Sequence, residues 1–65
     1  MQDYQKRVVV EKSELDKRIN NCQRFIASCV FEELPDDEQA RLNQQLAHMA
    51  HYSRILGERI ACFKD

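Results

Sequence analysis

CVFEELPDDEQARL, residues 29–42, carries the only proline of a 65-residue chain, with carboxylates on both sides of it. A proline is tolerated where a helix begins and disfavoured inside one. It also turns the residue before it, Leu34, away from α conformation. The acids that follow, Asp36, Asp37 and Glu38, meet the positive end of a helix dipole, at about 0.3–1 kcal/mol each. The stretch therefore reads as a corner followed by a helix start, with Pro35 opening the helix. Ser28 is placed to cap a short helical turn running through Glu33. Val30, Phe31 and Leu34 are too apolar for a free loop and are expected to plug the end of whatever core the corner closes.

On either side of this corner the apolar residues follow a helical period. Val8, Leu15, Cys22 and Cys29 recur every seven residues, and Ile19 and Ile26 stand four after Leu15 and Cys22. That is one stripe of a helix over about residues 3–28. Tyr4 and Phe25 widen it. Lys12 interrupts it, although its alkyl stem can lie along apolar surface. The run Val8-Val9-Val10 costs a few tenths of a kcal/mol per residue in helix propensity. The surrounding period of 3.5 to 3.6 still outweighs a strand reading. Glu14 and Arg18 stand at i,i+4 in the favourable order.

Downstream, Leu42, Met49, Leu56 and Phe63 repeat at sevens, with Leu46 and Ile60 as companions and Ser53 between them. This predicts a second helix over about 35–63 with a heptad seam. The fold class is then all-α: one antiparallel two-helix hairpin, with a corner at 29–35. Its seam is Val8, Leu15, Ile19, Cys22, Ile26, Leu42, Leu46, Met49, Leu56, Ile60 and Phe63.

Two helices share one contact line and enclose no core. A chain this short buries only about 60% of its unfolded surface, and such chains commonly lean on a disulfide, a metal or a partner. Further apolar residues lie beside the seam: Tyr52, Ile55 and Cys62 on the second helix, Val9 and Val10 on the first. The expectation is a homodimer, forming a four-helix bundle. Gly57, inside a helix at a cost of about 1 kcal/mol against Ala, is consistent with a close approach. The contact residues proposed from sequence are Val9, Val10, Tyr52, Ile55, Arg59 and Cys62.

Charge narrows the function. Ten basic and eleven acidic residues leave a net charge of −1, whereas a DNA-binding module of this size carries a basic excess on one face. Nucleic acid is therefore disfavoured as a partner. Lys6, Arg7, Lys12, Lys17, Arg18 and Arg24 are interspersed with Glu11, Glu14 and Asp16, which reads as a solvated face before an anion site. The acids at 32–38 read as a helix start before a recognition patch. Tyr4 and Tyr52 are either partner anchors or packing within the dimer. The longest apolar run near the start, Val8 to Val10, is far short of a signal-peptide core. No stretch approaches the ~20 apolar residues of a membrane span.

Three cysteines, an odd number, fit a reducing compartment better than a disulfide framework. Cys22 and Cys29 are seven apart, and His48 and His51 three apart, without the close cysteine pairs of zinc sites. The cysteines read as small core hydrophobes. A Cys–His nucleophile needs an oxyanion site and a pocket, for which a nearly glycine-free hairpin has few loops. No catalytic, cofactor or metal residues are assigned, and a non-enzymatic protein is expected.

RVVVEKSELDKRI, FIAS, FEELPDDEQARL and MAHYSRILGERI, taken as a series, resemble a family of very short proteins of tailed bacteriophages and prophages. Related small open reading frames lie in the early exo–xis interval of lambdoid phages. The shared elements are Arg7-Val8-Val9 with Glu11-Lys12 and Glu14-Leu15, Leu34-Pro35 with Glu38-Gln39, and Tyr52-Ser53 with Ile55-Leu56. Cys22, Cys29 and Cys62 depart from that pattern. The resemblance implies an early accessory protein in the bacterial host cytoplasm, acting by binding a host or phage protein to modulate phage development or host functions. A rival reading is an oligomeric sponge for a small anionic signal of host antiviral immunity, such as a cyclic nucleotide. It predicts a pocket lined by an Arg and an aromatic. A third reading is a DNA-binding regulator.

Overall fold

The computed structural model describes residues 1–64. Helix α1 spans Asp3–Ile26, a single turn α2 spans Cys29–Glu32, and α3 spans Asp36–Ala61. Helices α1 and α3 lie antiparallel against each other, and α2 sits in the corner between them. At 1.5 Å per residue the long arms are about 36 and 39 Å, within a body of 49 × 14 × 13 Å.

The contact line has a small fully enclosed part. Val8, Leu15 and Leu56 form its buried centre, with Ile19, Met49, Ile60 and Phe63 packed partly buried around it. Cys22, Ile26, Leu42 and Leu46 continue the line toward the corner, each half-buried. Among the described residues only Leu56 is wholly enclosed, at 0% exposure.

Four local readings differ in the structure. Helix α1 stops at Ile26, two residues early, and α3 covers 36–61 rather than 35–63. Pro35 precedes the first helical residue instead of occupying it. Its backbone is extended (φ −57°, ψ 150°), and its carbonyl accepts from the N–H groups of Glu38 and Gln39, both at 3.0 Å. The side-chain amide of Gln39 then donates to the carbonyls of Leu34 and Glu32 at 3.0 and 3.3 Å, tying α3 to the corner. Ser28 does precede the short turn, but its hydroxyl donates backward to the Phe25 carbonyl at 2.6 Å. Of the three plug residues, Phe31 is buried and Leu34 half-buried, while Val30 is 54% exposed. Phe31 packs edge-on against Phe25, with ring centroids 6.4 Å apart.

The pairing Glu14–Arg18 is not formed within 4 Å. Lys12 instead pairs with Asp16 at 2.8 Å. The same Lys12 ammonium donates to Ser53 Oγ at 3.1 Å, and Ser53 donates to Asp16 Oδ1 at 2.5 Å. The two residues that interrupt the heptad series thus meet across the hairpin in a closed polar triad. Gly57 makes room for it: a Cβ there would stand 3.3 Å from Lys12 Cε. The close approach at Gly57 is therefore to a side chain of the same hairpin.

Candidate binding site

An antiparallel hairpin brings the start of α1 and the end of α3 to one end of the molecule. Tyr4 stands in the first turn of α1, and Phe63 lies just beyond α3. Their rings meet edge-on at 5.8 Å and 77°, an arrangement aromatic quadrupoles favour. Beneath them, Gln2 N–H donates to Gln5 Oε1 at 2.8 Å, and Gln5 Nε2 reaches the Lys64 carbonyl at 3.5 Å. Gln5 is 2% exposed. It joins the first turn of α1 to the chain leaving α3, and so holds the open end together.

The two rings, with Ile55, Glu58, Arg59 and Cys62, line a shallow, largely open depression of about 460 Å³. That volume lies within the ~300–1,000 Å³ of small-molecule sites. The Arg59 guanidinium makes no ion pair among the described residues. Standing in the last turn of α3, it opposes that helix's negative end.

The residues singled out from sequence separate here. Ile55, Arg59 and Cys62 line the depression. Tyr52 stands one turn earlier, and its hydroxyl donates to Glu11 of α1. Val9 lies elsewhere: at 100° per residue it stands about 160° around α1 from Glu11, on the flank of Lys12 and Asp16. Val10 is 54% exposed. Tyr52, Val9 and Val10 are not among the residues that line the depression. Sequence reading left out four lining or supporting residues, Gln5, Tyr4, Glu58 and Phe63, as members of one site. The Gln2–Gln5 spacing is that of a capping box, N-cap to N3, and was the available signal for Gln5.

Among the described residues no group of three His, Cys, Asp or Glu side chains is arranged for a metal ion. All three cysteines are free thiols, Cys29 and Cys62 exposed and Cys22 half-buried. No helix is long and apolar enough to cross a membrane.

The molecule is a small all-α hairpin with an open, aromatic-lined depression at one end. The chain belongs to the Sequestin family, whose model matches residues 2–62. No curated protein and no solved structure matches it.

Proposed function

We propose that the chain is a non-enzymatic binding protein that withholds a small anionic ligand, and that Arg59 with the Tyr4 and Phe63 rings is the place of capture. The observation that carries this is the depression at the open end, where a guanidinium that makes no ion pair among the described residues shares the lining with two aromatic rings. A guanidinium grips phosphate through paired N–H donors, and an aromatic face accepts a flat ring by stacking. Glu58 in the same lining opposes a second anion and accepts from hydroxyl or amino groups. Together these select a phosphate-bearing molecule that also carries a sugar and a flat ring, as nucleotides do. The start of α1 at Asp3 adds the positive end of its dipole to the same end of the molecule. The family's name, with its sense of sequestration, agrees with capture without turnover. The resemblance to early phage proteins supports a reading in which such capture acts in the bacterial host cytoplasm, against a host signal.

Thermal-shift and calorimetric titration with a panel of linear and cyclic nucleotides tests this. At least one member should raise the midpoint, and Arg59→Ala should weaken that ligand tenfold or more with only a small drop in the unliganded midpoint, because Arg59 is exposed and gives up only its pairing with the helix dipole. A panel without any stabilising member sinks the reading.

A second reading, docking of a host or phage protein, rests on apolar side chains outside the depression: Val10 and Val30, each 54% exposed, and Val9 at 38%. Capture of one defined protein by the native chain, abolished by Val10→Asp but not by Arg59→Ala, would favour it over the first.

A further inference from the structure

Apart from Lys12 and Ser53, the seam positions of α1 from Val8 to Ile26 and of α3 from Leu42 to Phe63 are apolar and repeat at sevens. Sliding one arm past the other by a heptad, about 10.5 Å, therefore sets apolar against apolar again at nearly every position. In a hairpin such a slide moves the turning point by half as much, about one helical turn, and transfers that turn from one arm to the other. The corner opposes one direction. Lengthening α3 by a turn places Pro35 inside the helix, where its ring and its missing N–H are disfavoured. The opposite slide lengthens α1 through Ala27–Val30, which hold neither Gly nor Pro, and starts α3 one turn later. The corner's composition does not forbid it.

We propose that Lys12, Asp16 and Ser53 exclude this second alignment, and so decide which residues meet at the open end. In the observed alignment the Lys12 ammonium donates to Asp16 Oδ2 at 2.8 Å and to Ser53 Oγ at 3.1 Å, and Ser53 donates to Asp16 Oδ1 at 2.5 Å. No buried side-chain polar atom lacks a partner among the described residues. Gly57 leaves room for the Lys12 stem, whose Cε stands 3.3 Å from where a Cβ would be. One heptad on, Lys12 faces Ile60 and Ser53 faces Ile19. The two hydrogen bonds that cross the hairpin are then lost, and both are charge-assisted, the stronger kind. An ammonium and a hydroxyl also displace the apolar partners of those two isoleucines. A single polar residue in a coiled-coil seam fixes register in the same way. The open end depends on the choice, because in the excluded alignment Phe63 leaves Tyr4 and faces Glu11. The triad is thus a positioning device acting about 12 Å along α1 from Tyr4. It does so whatever ligand the depression takes up.

Two variants of the full chain test this by nuclear magnetic resonance, which reads the neighbours of Phe63 directly. Lys12→Met with Ser53→Ala makes the seam apolar throughout. Replacing a paired polar set by apolar groups is often neutral or stabilising, so the urea midpoint should hold or rise. Contacts from Phe63 should divide between Tyr4 and Glu11, in two sets of resonances. The second variant moves the α1 half of the triad by one heptad, through Lys12→Ile with Ile19→Lys and Asp16→Gln with Gln23→Asp, at unchanged composition. Helix α3 should follow, so that Phe63 touches Glu11 and not Tyr4. Phe63 held on Tyr4 alone in either folded variant would overturn the proposal, since the corner would then align the arms unaided. Loss of the cooperative urea transition in Lys12→Met with Ser53→Ala would overturn it too, by making the triad a source of stability and not of alignment. Should the second variant fail to fold, the first decides.

Discussion

Lys12, Asp16 and Ser53 show how a polar group is held within an apolar seam. Ser53 is buried at 8% exposure, and a buried hydroxyl without a partner costs about 1–3 kcal/mol. Here it donates to a carboxylate and accepts from an ammonium. The hydrogen bonds from Lys12 first, and Ser53 second, hold the Asp16 carboxyl below its ordinary value of 3.8. A carboxylate whose folded pKa is depressed stabilises the fold above its unfolded pKa, and that contribution is lost as pH falls through the folded value. Asp16→Asn should therefore lower the urea midpoint at neutral pH. The gap to the native chain should close as pH falls below about 3.8. A gap unchanged by acid would show that the triad contributes nothing through the charge of Asp16. None of this was legible beforehand: Lys12 and Ser53 each read as an interruption of a heptad series. Their meeting depends on which turn of α3 faces which turn of α1, a register that spacing within either helix does not contain.

At the scale of the helices, each arm is a long amphipathic rod that gains its stability from the other. Isolated helices are marginal in water, and most helical stability comes from packing an apolar face. Leu56 is the point of greatest dependence, because it is wholly enclosed among Val8, Leu15 and their neighbours. Leu56→Ala removes buried methyl groups and leaves a cavity, at a typical cost of about 2–5 kcal/mol. A core this small rarely supplies more than ~3–5 kcal/mol in total. The variant should lose its cooperative urea transition and most of its helical circular dichroism. Retention of both would mean that the load is carried elsewhere in the seam. The exposed ion pairs of Arg41 with Asp37 and Glu38, at 3.4 and 2.9 Å, are a poor substitute, since surface pairs contribute about 0–1 kcal/mol.

For the whole molecule, the homodimer expected from sequence can be tested through the charged residues at its two ends. Reversing Glu32 and Glu33 to Lys should weaken self-association tenfold or more at low salt. Combining that change with Lys6→Glu and Arg7→Glu should restore it, as sedimentation equilibrium would show. Equal association of all three chains would mean that the ends do not face each other. All four residues are exposed, so the hairpin itself should remain folded.

The amino-acid sequence alone determined that the chain is helical and where it turns back. A 3.5-residue apolar period and one proline are local signals, each acting through the backbone of its own segment. It determined the composition of the two ends in the same way. Only the tertiary structure decided which residues share the open end, that Gln5 ties it and that Tyr4 and Phe63 wall it with Arg59. Those residues lie more than 50 positions apart, and they meet because the corner sets the alignment of two rods whose repeats would admit several.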